Sequence, residues 1–131
     1  MKKILVAYDG EEHSRLALER GADLALAFGA QLAVISVTPW RKDRFPVDLW
    51  DGAHARALES AADRLRKRGV SAELLSRTGD PGQTIEAAAE GGNFDTIVVG
   101  SRGLGAVARF MQGSVSEHVA TSAKASVVIA R

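Results

Sequence analysis

A doubly wound α/β domain is predicted by three features of the 131-residue sequence. Short apolar runs alternate with longer segments of helical period. Three of the runs, Ile4–Ala7, Ile97–Val99 and Val127–Ile129, are apolar on both faces. The segments between them are long enough to be crossovers. Strands buried on both faces read as continuous apolar runs. Strand–helix–strand repetition with such crossovers makes a parallel sheet wound right-handed.

Taken in order, the first strand is expected over Lys3–Tyr8, ended by Asp9-Gly10. The first helix carries Leu16, Ala17, Leu24 and Ala27-Phe28, with Gly29 as its stop. The second strand is expected over Gln31–Val37, followed by an irregular stretch from Thr38 to Asp48. In the second helix Leu49, Ala53, Ala57-Leu58, Ala61 and Leu65 form one stripe, and Gly69 ends it after Arg66-Lys67-Arg68. Those basic residues suit the negative end of the helix dipole. In the third strand, Val70–Arg77, the residues Val70, Ala72 and Leu74 alternate with Ser71, Glu73 and Leu75. Such a strand is half covered, as at a sheet edge. Asp80-Pro81 opens the third helix with a capping carboxylate and a proline at the first helical position. Thr96–Val99 and Ser126–Ala130 supply the last two strands. Between them a fourth helix opens at Ser114-Val115-Ser116-Glu117, a capping box in which Ser114 and Glu117 satisfy each other's amides. Residues 1–131 are thus expected to form one domain: five parallel strands and four helices, with no repeat or interdomain linker.

Composition narrows the function classes. Hydrophobic residues make up 46% and charged residues 25%, which excludes a disordered or collagen-like chain. The 17 basic and 16 acidic residues nearly cancel, so no electrostatic footprint for nucleic acid or an anionic membrane is expected. The absence of cysteine excludes disulfides, thiol catalysis and thiolate metal sites. The apolar run after Lys2-Lys3 is too short for a signal peptide, and nothing approaches the ~20 apolar residues that cross a bilayer. A cytoplasmic location is expected. His13, His54 and His118 fall on three different helices with no paired spacing, so no metal site is expected from them.

A doubly wound sheet binds ligands beyond the carboxyl ends of its strands, where the strand order reverses. In the order 3-2-1-4-5, of flavodoxin- and Rossmann-like type, that reversal lies beside strand one, at Asp9-Gly10 and the end of strand four. Strand four runs into Gly100-Ser101-Arg102-Gly103-Leu104-Gly105, and Gly113-Ser114 follows. Glycines let backbone approach a ligand closely and leave amides pointing outward. Gly113-Ser114 then begins a helix, whose free amides and dipole favour an anion. Ser114 and Ser116 add hydroxyls. Together these suit phosphate, although Ser114 and Asp80 are each explained as helix caps and Asp9 can cap the first helix.

Gly100-x2-Gly103-x9-Gly113-Ser114 resembles the nucleotide-binding signature of the universal stress proteins, and the likeness extends over essentially the whole chain. It includes Ile4-Leu5-Val6-Ala7-Tyr8-Asp9-Gly10, Gly79-Asp80-Pro81, Asp95–Gly103 and Gly113–Glu117. The resemblance to the ATP-binding members implies ATP as ligand, with Mg2+ or Mn2+ accompanying it. It implies Asp9 on the ribose or adenine and the backbones of Ala7 and Val37 near the base. Phosphates would lie on Gly100, Arg102, Gly103, Gly113, Ser114, Val115 and Ser116. It also implies a homodimer formed through the last strand, Ser126 to Ala130. The chain departs from the family in having Glu11-Glu12 where a serine usually follows Asp9-Gly10, a placement that supports the helix start and repels a triphosphate tail. A proline that often precedes the last strand is replaced by Ala125-Ser126.

Other functions fit less well. A phosphotransfer receiver needs an aspartate ending strand three, where this chain has Arg77-Thr78-Gly79. No Walker lysine, Gly-x-Ser-x-Gly elbow or Ser/His/Asp set is present, so no catalytic residues are assigned and a non-enzymatic protein is expected, with weak ATP hydrolysis or self-phosphorylation left open. Trp40, Phe45 and Trp50 beside Arg41, Lys42 and Arg44 suggest packing anchors, or a lid or partner contact, more than a nucleic-acid platform. Two readings remain: a nucleotide-responsive regulator of the stress response, and a ligand-free dimeric interaction module.

Overall fold

In the computed structural model, residues 1–39, 47–100 and 125–131 are described, the side chains of residue 39 and residues 47–54 excepted. The predicted fourth helix and residues 40–46 of the irregular stretch lie outside the described residues. Five strands, β1 (Lys3–Ala7), β2 (Gln31–Pro39), β3 (Ala72–Gly79), β4 (Thr96–Gly100) and β5 (Ser126–Ala130), form one sheet in the order β3-β2-β1-β4-β5. All neighbouring pairs are parallel. Three helices are present among the described residues: α1 (Glu12–Phe28), α2 (Val47–Lys67) and α3 (Pro81–Gly91). The α/β class and the strand order are those expected from the sequence. The ends of the predicted irregular stretch join regular elements: Thr38 and Pro39 continue β2, and Val47 and Asp48 begin α2.

The sheet separates two apolar layers because alternate side chains of each strand point to opposite faces. On one side Ile4 and Val6 of β1 and Val34 of β2 meet Leu18 and Ala22 of α1 and Ala61 and Leu65 of α2. On the other, Leu5, Ala33, Ile35 and Ile97 meet Ile85 and Ala89 of α3 and Phe94. Ile4, Leu5 and Val6 are fully buried, which explains why this stretch carries no polar alternation. Burying each such side chain contributes roughly 1.5–3 kcal/mol.

β3 is the edge strand that its alternation predicts. Ala72 packs on the α1–α2 layer and Leu75 on the α3 layer, whereas Leu74 is 40% exposed. Both α2 and α3 touch β3, so the strand is partly covered on each face and alternation alone does not choose between them. Helix ends follow local chemistry. Gly29 adopts a left-handed conformation (φ 63°) and ends α1 with its amide on the Ala25 carbonyl. Asp80 caps α3, its carboxylate accepting the Gln83 amide at 3.0 Å, with Pro81 at the first helical position.

At the amino end of the sheet Asp95 anchors β1. Its Oδ2 accepts the amides of Lys2 (2.7 Å) and Lys3 (3.2 Å), and its Oδ1 accepts the Thr96 hydroxyl (2.8 Å). These bonds, the Lys2 amide foremost, hold the carboxyl below its ordinary value.

Candidate functional site

The carboxyl ends of β1, β2 and β4 lie side by side, and the order reverses between β2 and β4 around β1, the arrangement that leaves a crevice for ligand. Ala7, Val37 and Val99 are half-buried at this end and pack on the α3-side core. Leu75 of β3 extends the same layer. These side chains leave apolar atoms partly exposed at this end of the sheet. Beside them the chain leaves β1 through Tyr8, whose ring is buried and whose amide bonds the Ile35 carbonyl at 2.9 Å. Tyr8 thereby locks the point at which Asp9 emerges.

Asp9 is held firmly although its side chain is 47% exposed. Its Oδ1 accepts the Glu11 amide at 2.8 Å and lies 2.8 Å from Ser14 Oγ. The buried Ser14 hydroxyl also lies 2.9 Å from the Glu11 carbonyl oxygen and accepts the Asp9 amide at 3.2 Å. One hydroxyl proton serves one of its two acceptors at a time. Gly10 makes the turn possible with φ 88°. Glu11 occupies the N-cap position of α1 without a side-chain capping bond, so Asp9 organises the helix start from two residues earlier. This corrects the alternative in which Asp9 is itself the cap of the helix, while Glu12 lies in the first turn, where a carboxylate suits the helix dipole. Oδ2 of Asp9 remains turned toward His13, 3.3 Å from Nε2. The other imidazole nitrogen, Nδ1, lies 3.5 Å from Glu11 Oε2.

Gly100, expected as a phosphate ligand, has a packing reason of its own. A Cβ there would lie 2.6 Å from the His13 carbonyl carbon, 3.1 Å from the Ser14 amide nitrogen, and closer still to the His13 carbonyl oxygen. The first turn of α1 therefore rests on the bare backbone of Gly100, and any side chain would push them apart.

Of the predicted site residues, the structure brings together Ala7, Asp9, Val37 and Gly100 around one end of the sheet. Arg102, Gly103, Gly113, Ser114, Val115 and Ser116 lie outside the described residues, as does His118. Sequence reasoning missed the association of His13 with Asp9 and Glu11. It searched for pairs of histidines, whereas the available signal was Asp-x-Glu-x-His across a turn and a helix start. Among the described residues no helix is long and apolar enough to cross a membrane. This end of the sheet thus carries partly exposed apolar side chains at Ala7, Val37 and Val99, a fixed carboxylate at Asp9, and Gly100 packed against the first turn of α1.

Comparison with known proteins identifies the family. Residues 1–131 match the universal stress protein family. A Thermus aquaticus relative, "universal stress protein in QAH/OAS sulfhydrylase 3′region", is 36% identical over 99% of this chain and 98% of its own length. Among solved structures, a universal stress protein in complex with cAMP superposes with a TM-score of 0.78 at 26% identity, covering 99% of this chain and 97% of that one. The universal stress protein from Archaeoglobus fulgidus in complex with dAMP gives 0.72 at 25% identity, covering 100% and 98%. The chain belongs to the universal stress protein family.

Proposed function

We propose that this universal stress protein binds an adenine nucleotide, ATP in the first instance, at the carboxyl ends of β1 and β4, and acts as a regulator of the stress response rather than as a catalyst. The observation that carries the reading is the half-open apolar surface of Ala7, Val37 and Val99 with Asp9 fixed at its edge. Support comes from the relatives in complex with cAMP and dAMP at 26% and 25% identity. The base rests on the apolar surface, Asp9 accepts a ribose hydroxyl, and the phosphates are received by the glycine-rich segment that begins at Gly100 and by Gly113–Ser116. Bound nucleotide is the signal, and a second copy joined through β5, or another cytoplasmic partner, reads it.

Calorimetric titration of the purified protein with Mg-ATP, AMP and cAMP tests this. Binding of ATP at about −8 kcal/mol, a micromolar Kd, with loss in Asp9→Ala and Gly113→Val, is the expected result. Tighter binding of AMP or cAMP than of ATP would keep the site and replace the triphosphate by a monophosphate. No binding of any of the three by folded protein would overturn the reading in favour of a ligand-free interaction module.

A further inference from the structure

At the start of α1 one imidazole and two carboxylates converge. Asp9, Glu11 and His13 each offer a ligand atom, and these atoms lie within 4.8 Å of one another. We propose that they form a binding site for a divalent cation of the zinc class. The proposal rests on the adenine-nucleotide reading only for the cation's effect on nucleotide affinity, not for its existence.

Three observations support it. First, the donor set matches the ion: imidazole favours zinc and its neighbours over magnesium or calcium, and carboxylates complete a site with positions left for water or a ligand. Atoms around one such ion, each about 2.0–2.2 Å from it, stand roughly 3–4 Å apart. The 3.3 Å between His13 Nε2 and Asp9 Oδ2 already has that spacing; the half-exposed Glu11 now faces the other ring nitrogen, Nδ1, at 3.5 Å, and turns toward the Nε2 side to complete the set around one ion. Second, the frame is built before any ion arrives. Asp9 is oriented by the Glu11 amide and the buried Ser14 through Oδ1, leaving Oδ2 for the ion, and the His13 side chain is only 19% exposed. The backbone of His13 is pressed against Gly100, so its position does not drift. Third, charge requires a counterweight. Asp9, Glu11 and Glu12 gather at the end of the sheet where an anionic nucleotide is proposed to sit, and all three are exposed. A divalent cation on the first two converts a repulsive approach into an attractive one.

The test titrates Zn2+ alone into the full chain in a non-coordinating buffer, with Co2+ as a spectroscopic probe and Mg2+ as the comparison. One equivalent of Zn2+ with micromolar or tighter affinity is expected, together with a visible Co2+ spectrum and at least tenfold weaker Mg2+ binding. His13→Gln and Glu11→Gln, each checked for an unchanged circular dichroism spectrum, should each weaken Zn2+ at least tenfold. His54→Gln and His118→Gln should leave it unchanged. Absence of stoichiometric Zn2+ binding overturns the site, as does Zn2+ affinity that survives in both His13→Gln and Glu11→Gln. Repeating the ATP titration with and without Zn2+ separates the two proposals. Zn2+ binding without any nucleotide binding removes the nucleotide reading alone, and nucleotide binding without Zn2+ binding removes the metal site alone.

Discussion

Gly100→Ala distinguishes a glycine kept for packing from one kept for phosphate. The added methyl group would stand 2.6 Å from the His13 carbonyl carbon and 3.1 Å from the Ser14 amide nitrogen. These neighbours are backbone in the first turn of a 17-residue helix, not the end of a flexible side chain. Relief requires that α1 lift from the sheet or that the end of β4 move, and both carry core residues: Ala17 and Leu18 on α1, Val98 on β4. Overpacking against a well-packed interior costs about 1–3 kcal/mol, and rigid backbone on the far side puts this case at about 2–3. At roughly 2 cal/mol/K per residue, a domain of this size loses about 3–4 °C in Tm per kcal/mol, so a fall of roughly 7–11 °C is expected. Thermal denaturation followed by circular dichroism measures it. Gly91→Ala is the internal control, because a Cβ there meets nothing within 4 Å and alanine is favoured in a helix. It should be neutral or slightly stabilising. A Gly100→Ala protein melting within about 2 °C of the parent would refute the close approach and leave ligand binding as the only reason for glycine here.

Asp95→Ala removes the acceptor of two β1 amides and the Thr96 hydroxyl, and is expected to cost about 1–2 kcal/mol, solvent competing for a partly exposed group; urea denaturation measures it. Because its folded carboxyl is held below the ordinary 3.8, the contribution is complete above that value and is lost as pH falls from 3.8 through the lower folded value. Acid titration of the parent and Asp95→Asn proteins should show their stabilities converging there, and parallel curves would count against the assignment. Gly29→Ala puts a side chain at φ 63° with open space around it, so the cost of about 1 kcal/mol is conformational alone, and Gly29→Asn should recover part of it in the same melt.

The sheet was legible because parallel strands buried on both faces leave no room for polar residues, so Ile4-Leu5-Val6 and Ile97-Val98 announce themselves. Helix limits were legible where a residue has one dominant local role: Gly29 in the left-handed region, Asp80 followed by Pro81. The inner face of β3 was not, because a strand touched by helices on both sides gives its alternation two partial answers, and Leu75 rather than Leu74 found cover. Register fared similarly. Strand ends at Pro39 and Gly79 are set by the pairing of β2 with β3 across the sheet, which extends both beyond their apolar cores.

The site shows why local sequence under-determines chemistry. Gly100 sits in a glycine-rich run that resembles a phosphate loop, yet its closest neighbour is a residue 87 positions earlier in the chain, and only the folded sheet reveals that α1 needs it. The space that a side chain at Gly100 would fill is taken by the first turn of α1, so packing alone accounts for glycine at this position. Conversely, Glu11-Glu12 suggests repulsion of phosphate when read as bare charge. In the fold, Glu11 and Asp9 both turn an oxygen toward His13. Carboxylates gathered about an imidazole are a liability to an anion only while nothing cationic stands between them. The charge that an approaching nucleotide would meet here therefore depends on what stands at His13, and not on the count of acidic residues after Gly10 alone.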